Sequence, residues 1–183
     1  MGIGLVIIAI VAFVALFLWA SYNSLITAKV RIDEAFSQID VQLKRRSDLI
    51  PNLVETVKGY AKHEKELLEH ITKARTALME AGSVSEKAKA NNELGETLKS
   101  LFAVSENYPT LKANENFLSL QEELSDTENK IAYARQFYNS MVMDFNTKLA
   151  VFPTMMFGQM LGFKSAQFFA ATEEEKKSVL VKF

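Results

Sequence analysis

The chain has 183 residues, a formal net charge of -1 and no cysteine. This length suits one ordinary domain with an added segment, and the lack of cysteine excludes disulfides, thiolate metal sites and cysteine nucleophiles. The near-neutral charge gives no reason to expect a nucleic-acid partner, and only three prolines and seven glycines favour long helices over many short strands.

An apolar segment opens the chain. No Asp, Glu, Lys, Arg or His occurs in residues 1–28, and residues 3–20 are almost continuously Ile, Val, Leu, Phe and Ala. About 20 apolar residues at a rise of about 1.5 Å each match the ~30 Å hydrocarbon core of a bilayer. Residues 1–21 are therefore predicted to form a transmembrane anchor. Trp19 and Tyr22 are predicted to lie at the membrane interface, where amphipathic rings are favoured.

The alternative to an anchor is a cleaved signal peptide. No basic residue precedes the apolar run, and Leu18 stands where a cleavage site needs a small residue, so retention is favoured. Lys29 and Arg31, followed by the basic residues at 44–46, favour a cytoplasmic body by the positive-inside rule. An extracytoplasmic body stays as the alternative, because acidic residues at 33 and 34 balance the nearest two basic residues.

The body of the protein, residues 22–152, shows the periodicity of amphipathic helices. Apolar residues recur at spacings of three, four and seven, which predicts an all-α fold. We expect an elongated antiparallel up-down bundle of three to four long helices with coiled-coil-like packing, whose first helix continues from the anchor. Pro51 is predicted to kink or break that helix, with Asp48 able to cap a restart that runs to about Ala81.

Turn and capping signals divide the rest of the chain. Gly82 ends one helix, and the spacing of Ser83 and Glu86 predicts a capping box that opens the next. Tyr108-Pro109 closes that helix, and a heptad pattern that begins at Phe117 predicts a long helix over residues 114–150. The apolar segment 153–183 has three alternatives, which are packing on the bundle, contact with another copy, and an interfacial position at the membrane.

Two long motifs carry a family resemblance. The run IDVQLKRRSDLIPNLV at residues 39–54, followed by TVKGY at 56–60, resembles the signature of the LemA family. The run YPTLKAN at 108–114 and further positions as far as residue 169 resemble later blocks of that family in the same order. The resemblance implies a single-pass protein of the bacterial cell (inner) membrane with a helical-bundle body. It does not imply a reaction.

The candidate chemical groups give no catalytic site. His63 and His70 are seven residues apart on one predicted helix, about 10 Å along its axis, which is too far to share a metal ion. His63-Glu64 begins like a zinc protease motif, but Leu67 stands where the second histidine is required. No catalytic residue, metal ligand or cofactor is therefore assigned from the sequence.

A set of polar and turn-forming residues is singled out as a possible interaction or structural motif. The basic cluster at 44–46 has two interpretations: it binds anionic headgroups or a partner's carboxylates, or Arg45 or Arg46 pairs within the fold with Asp48 or Glu128. The second is favoured, because three charges so far from the anchor gain little from the membrane surface. The set comprises Lys44, Arg45, Arg46, Asp48, Pro51, Asn52, Tyr108, Pro109, Arg135 and Asn139.

The leading functional hypothesis is a non-enzymatic, membrane-anchored helical scaffold that self-associates. Its partners would be the lipid bilayer and further copies of the chain. The alternative is an accessory or regulatory subunit of a membrane protease or transporter. An enzyme with a metal or cofactor in the bundle core has the least support.

Overall fold

In the part of the chain that the structure describes, all regular secondary structure is helical. The structure is a computed structural model that describes residues 2–169, and this range contains no strand. The predicted all-α class is therefore confirmed. The elements are α1 (Gly2–Lys58), α2 (Lys65–Glu80), α3 (Val84–Ser105), α4 (Pro109–Lys112), α5 (Glu115–Ala150) and α6 (Thr154–Phe157).

The four longer helices run alternately up and down. Helix α5 is antiparallel to α1, because Lys148 lies beside Ser24 at one end and Glu128 lies beside Arg46 further along. Helices α2 and α3 form a hairpin on the half of α1 that ends at Lys58, here called the distal half. The distal half is therefore a four-helix bundle, whereas α1 and α5 alone continue towards residue 22.

Helix ends follow the signals in the sequence. The side-chain oxygen of Ser83 accepts a hydrogen bond from the Glu86 amide, and the Glu86 carboxylate accepts from the Ser83 amide, which completes the predicted capping box. Hydrogen bonds from the Gly82 and Ser83 amides hold the pKa of Glu86 below its usual value. Asn114 caps α5 through its side chain, as Ser83 does for α3.

The core follows the predicted heptads of α5. The seam that runs from Phe117 to Phe145 is buried over its whole length. The second heptad seam, which runs from Leu120 to Lys148, is partly buried and ends on the exposed Lys148. These stripes face the apolar stripe of α1, so the two long helices bury one another as the periodicity indicates. The residues of the buried seam are Phe117, Leu124, Ile131, Tyr138 and Phe145.

The predicted break at Pro51 is wrong. Helix α1 runs without interruption for 57 residues, about 85 Å at 1.5 Å per residue, with Pro51 inside it. Asp48 caps no restart and instead accepts a hydrogen bond from Lys44 Nζ at 2.7 Å. The turn comes at residues 59–64, where Gly59 precedes the start of α2.

A distant side chain explains why the helix passes Pro51. Proline has no amide hydrogen, so it cannot donate to the carbonyl four residues earlier, which belongs to Ser47. Arg75 of α2 supplies the missing donor, because its Nε donates to the Ser47 carbonyl oxygen at 2.8 Å. Ser47 is buried, and the bond therefore satisfies an acceptor that water does not reach.

This compensation predicts a coupling between residues 51 and 75. Arg75→Ala is expected to lower the free energy of unfolding by about 1.5 kcal/mol, because it leaves a buried carbonyl without a donor. In a Pro51→Ala background the same change is expected to cost less than about 0.5 kcal/mol, because the new amide restores the helical bond. Denaturant unfolding of the four proteins in mild detergent measures this cycle, and equal costs in both backgrounds would contradict it.

The N-terminal part of α1 is long and apolar enough to cross a membrane. An 18-residue window in it has none of its residues buried within the described structure, which distinguishes it from the core helix of a soluble protein. Large apolar side chains such as Ile3 and Phe13 are mostly exposed. At roughly 25 cal/mol per Å² of apolar surface, water is an unfavourable environment for such a helix.

The segment after α5 turns back and packs on the bundle. The Phe152-Pro153 peptide bond is cis, α6 is a single short turn, and Gly162 adopts a positive φ of 83°. Residues 163–169 then run along α5 in an extended conformation, with Phe163 and Phe169 buried. Of the three alternatives for the C-terminal segment, packing on the bundle therefore holds for residues 163–169. Residues 170–183 lie outside the described range.

Candidate functional site

Arg46 is the charged group that the fold buries most deeply among the described residues. Only 5% of its side chain is exposed, and its Nη1 atom donates to Asn91 Oδ1 at 2.7 Å and lies 2.6 Å from Glu128 Oε2. The arginine on α1 thereby joins α3 to α5. Burial lowers the pKa of Arg46, and the charge of Glu128 acts in the opposite direction.

The pairing of Arg46 with Glu128 is the one that the sequence favoured for the basic cluster. The neighbouring residues take separate roles: Lys44 pairs with Asp48, and Arg45 Nη2 lies 3.9 Å from Glu123 Oε2. The three basic residues therefore have different partners within the chain.

A groove between α3 and α5 opens over Arg46. Its volume is about 550 Å³, and its lining includes Arg46, Gly95, Glu128 and Arg135. Arg46 Nη2 lies 3.4 Å from the position that a Cβ atom on Gly95 would occupy. Glycine at 95 therefore lets the arginine head group pack close to the backbone of α3, and a larger side chain would crowd it.

Two asparagines of α5 hold the extended residues 163–169, here called the strap. Asn139 donates to the Phe169 carbonyl at 3.1 Å and accepts from the Phe169 amide at 2.8 Å. Asn146 makes the same pair of bonds with Ala166, at 3.0 and 2.8 Å. Each amide side chain thus pairs with one residue's backbone as a neighbouring β-strand would.

The spacing of these contacts follows from helix and strand dimensions. Asn139 and Asn146 are seven residues apart on a helix, about 10.5 Å at 1.5 Å per residue. Ala166 and Phe169 are three residues apart in extended chain, about 10 Å at 3.3 Å per residue. The two lengths agree, so an extended segment can lie on α5 with both pairs formed. Tyr138 adds a third contact, as its hydroxyl donates to the Gln167 carbonyl at 2.8 Å.

Tyr108 and Pro109 lie at the distal end of the bundle. The Tyr108 hydroxyl donates to Glu64 Oε1 at 2.9 Å, and this hydrogen bond raises the pKa of Tyr108. Pro109 occupies the first position of α4, where a proline needs no amide donor. Asn114 Nδ2 donates to Tyr60 Oη at 3.0 Å nearby, so polar contacts join the two distal loops.

The residues singled out from the sequence do not converge on one site. Arg46 and Arg135 line the same groove, Asn139 holds the strap, and Tyr108 lies at the distal end. Pro51 and Asn52 are on the exposed side of α1. Of the two residues predicted for the membrane interface, Trp19 is exposed and Tyr22 packs on Phe163 with ring centroids 5.7 Å apart.

Metal-binding side chains are not grouped within residues 2–169. No cluster of three or more His, Asp or Glu side chains in that range could hold an ion. The site built by this fold is therefore a set of structural hydrogen bonds, centred on Arg46 in the distal half and on Asn139 and Asn146 nearer the apolar span.

Comparison with known proteins identifies the family. A family model described as the LemA family matches residues 35–183. The chain belongs to the LemA family. Together with the apolar helix of α1, this membership indicates a membrane-associated protein.

The LemA-family chain has curated relatives of two kinds. It is 26% identical to Magnetosome protein MamQ 2 of Paramagnetospirillum magneticum, over 89% of this chain and 69% of that protein. It is 24% identical to Magnetosome protein MamQ of Magnetospirillum gryphiswaldense over the same shares. Protein LemA of Metamycoplasma hominis is 28% identical over 86% of this chain and 72% of that protein. None of these names describes a reaction.

Sequence reasoning on this LemA-family chain missed three residues that organise the structure. Arg75 and Asn91 are polar residues on predicted helices, and nothing in their local sequence marks them as partners of Ser47 and Arg46. Gly95 did carry a signal, because a glycine inside a predicted helix costs about 1 kcal/mol relative to alanine and so indicates a close approach.

Proposed function

We propose that this LemA-family protein is a non-enzymatic, membrane-anchored scaffold that self-associates. The observation that carries the proposal is the continuity of α1, which joins the apolar span and the distal end of the bundle in one helix. From Ala20 to Lys58 the helix rises about 57 Å at 1.5 Å per residue. A rod of this kind holds its exposed faces at a fixed height above the bilayer, as recruitment of further subunits requires.

The polar groups of the fold support a structural role. Arg46, Arg75, Asn139 and Asn146 each contact a distant part of the chain, and each bond ties one element to another. Catalytic groups instead lie in a cleft, have perturbed pKa values and can reach the proton that they transfer. In the described range the shifted pKa values come from the capping box at Glu86, from hydrogen bonds to Glu64 at Tyr108 and from Lys130 at Asp126, and from burial at Arg46 and Tyr138.

Two aromatic side chains support self-association. Tyr133 and Phe137 are one turn apart on α5, and 75% and 46% of their surfaces are exposed. Val41 on α1 is another large apolar residue that faces outward. Aromatic residues are enriched in protein interfaces, because they bury much apolar area at a small cost in side-chain entropy. We assign the contact between copies to the face of α5 that carries Tyr133 and Phe137.

The proposal places the anchor in the inner membrane of a bacterium. The body lies on the cytoplasmic side, in keeping with Lys29 and Arg31 just beyond the span. An extracytoplasmic body is the alternative, and fusion of a reporter active on only one side of the membrane to the C-terminus distinguishes them.

The size of the protein in mild detergent tests the scaffold. Sedimentation of the full chain at increasing concentration is expected to show species larger than a monomer. The variant Tyr133→Ser with Phe137→Ser is expected to shift the distribution towards the monomer, because it removes the apolar contact but leaves the core intact. Met79→Ser, at an exposed apolar position on α2, is the matched control and should behave as the parent.

Two outcomes count against the proposal. A strictly monomeric profile at every concentration would overturn self-association. An unchanged profile for the double variant would leave the assembly standing and remove α5 as its contact face.

A second candidate function is an accessory or regulatory subunit of a membrane protease or transporter. The observation that favours it is the exposure of Lys44 and Arg45 on the distal half, where both heads reach the surface and a partner's carboxylates could bind them. Crosslinking in intact cells is expected to capture one foreign chain at fixed stoichiometry, and charge reversal of Lys44 and Arg45 is expected to abolish the product. Capture of further LemA-family copies alone would contradict this candidate.

A further inference from the structure

The loop that precedes the strap has the composition of a membrane-inserting element. Residues 149–162, here called the apolar turn, contain no ionisable side chain, and Lys148 and Lys164 lie just outside them. The only polar side chains within the turn are Thr154 and Gln159. A loop that faces water is ordinarily polar, because its backbone and side chains must be solvated.

The large side chains of the apolar turn face outward. Met160 and Met156 are 86% and 66% exposed, and Phe152 and Met155 are also exposed. A cluster of this kind on a monomer marks a surface that binds protein or lipid. Gly158 allows the turn to close tightly, since a Cβ atom there would lie 3.0 Å from both Leu149 Cδ2 and the Thr154 carbonyl oxygen.

A ring contact places the apolar turn beside the end of the apolar span. Phe157 in α6 meets Phe17 of α1 edge to face, with centroids 6.1 Å apart. Phe17 lies inside the uncharged run of α1, five residues or about 7 Å before Tyr22 along the helix axis. The turn therefore reaches the depth at which α1 itself would be in lipid, whereas the bundle extends in the other direction.

The flanking lysines lie where headgroups would be. Lys148 Nζ donates to Ser24 Oγ at 3.2 Å, so the lysine is at the level of residue 24, beyond the aromatic residues at the edge of the span. Lys164 follows Phe163, whose ring packs on Tyr22. Lysine side chains at the ends of an inserted segment extend towards the phosphate layer, as observed for membrane interfaces generally.

We propose that the apolar turn inserts into the same bilayer leaflet surface as the end of α1, with Phe152, Met155, Met156 and Met160 in contact with lipid. This inference rests on the proposed membrane anchor and adds a second lipid contact to it. A single helix leaves the body free to rotate about the helix axis, whereas two contacts fix which face of the bundle is turned towards the membrane. The partner is the bilayer, because continuity with the span and the flanking lysines favour lipid over protein.

Depth-dependent quenching tests the inference on the full-length chain. The chain has no cysteine, so Met156→Cys, Met160→Cys and Met79→Cys each provide one labelling site for a polarity-sensitive fluorophore. The proteins are reconstituted in phosphatidylcholine vesicles that contain lipids with nitroxide groups at shallow or deep positions. Met79→Cys is the control, because this position is exposed on α2, in the distal half of the bundle and outside the proposed contact face of α5.

Labels at residues 156 and 160 are expected to be quenched several-fold more than the label at 79, and more by the shallow nitroxide than by the deep one. Trp19, the single tryptophan of the chain, reports on the anchor in each sample before labelling. Circular dichroism confirms that each variant keeps the helical content of the parent.

The outcomes separate this inference from the anchor on which it rests. If Trp19 is not quenched, the proposed membrane anchor fails, and the inserted turn fails with it. If Trp19 is quenched and the labels at 156 and 160 behave like that at 79, the inserted turn alone is overturned. Labels that are shielded from aqueous iodide but not quenched by either lipid would indicate a second copy over the turn, which also overturns it.

Discussion

Arg46→Ala is expected to lower the free energy of unfolding by about 3 kcal/mol, at the low end of the range for breaking a buried ion pair. The substitution leaves the buried Asn91 without its donor and removes the guanidinium group that fills the space beside Gly95. The low end applies because 51% of the Glu128 side chain is exposed, so water solvates the carboxylate when its partner is lost. Denaturant unfolding in mild detergent, followed by circular dichroism, measures the change.

Arg45→Ala is the matched control for this experiment. The same residue type stands one position away, half exposed and 3.9 Å from its carboxylate partner, so its removal should cost less than about 0.5 kcal/mol. The double variant Arg46→Met with Asn91→Leu is expected to recover most of the loss, because an apolar pair of similar volume leaves no polar group unsatisfied. Equal destabilisation by Arg45→Ala and Arg46→Ala would contradict the assignment of Arg46 as the centre of the distal bundle.

Removal of both strap asparagines is expected to release residues 163–169 from α5. Each of Asn139 and Asn146 makes two neutral hydrogen bonds with the strap backbone, worth about 1 kcal/mol apiece. Each alanine substitution should therefore raise the open population of the strap by about 30-fold, given about 2 kcal/mol per asparagine. Hydrogen exchange of a peptide that covers residues 163–169 measures this population directly.

Asn146→Asp separates the contribution of the side-chain acceptor from that of the side-chain donor. Aspartate keeps the oxygen that accepts from the Ala166 amide but loses the donor to the Ala166 carbonyl, so about half of the alanine effect is expected. Asn52→Ala is the control, because Asn52 is exposed on α1 and should leave exchange in the strap unchanged. Undiminished protection of the strap in the double alanine variant would show that Phe163 and Phe169 hold it without the asparagines.

The helices of this protein could be predicted from the sequence where buried residues recur at a regular spacing. The seam from Phe117 to Phe145 repeats every seven residues, and its side chains are buried as that repeat requires. The capping box of Ser83 and Glu86 was also predictable, because both halves of the motif are local in sequence. In each case the residues that decide the structure lie within one or two turns of one another.

The wrong prediction at Pro51 has a cause that is not local in the sequence. Local chemistry predicts a break, because proline removes a helical hydrogen bond and restricts the residue before it. The bond is replaced by Arg75, which is 28 residues away and reaches Ser47 only after α2 has packed on α1. A single sequence contains no sign of that replacement, so tertiary contact overrode a sound local expectation.

The strap and the groove also could not be predicted from the sequence. An extended segment that lies on a helix has no periodic pattern of its own, and its backbone contacts are nearly independent of side-chain identity. The sequence singled out Asn139 as a possible interaction or structural residue. Its partner could not be predicted, because the match between seven helical and three extended residues becomes visible only once the chain has turned back at Gly162.

The long helix α1 and the two proposed lipid contacts, the apolar span and the apolar turn, together define how the bundle would be held at the membrane. Helix α1 fixes the height of the bundle, the apolar turn would fix its rotation, and the strap ties that turn to α5 through Asn139 and Asn146. In such an arrangement the exposed aromatic residues of α5 point in a defined direction along the membrane. Two copies that meet through this same face would form a two-fold symmetric pair, as an isologous contact requires.

The continuity of α1 from the edge of the span to the distal end is the claim on which this account depends, and one distance tests it. Nitroxide labels on Asn23→Cys and Lys58→Cys, both exposed on α1, are measured by pulsed electron paramagnetic resonance in lipid nanodiscs. An unbroken helix predicts a single narrow distribution near 52 Å, from about 1.5 Å for each residue between the labels. A broad distribution, or a main distance below about 45 Å, would show a bend or hinge and contradict the account.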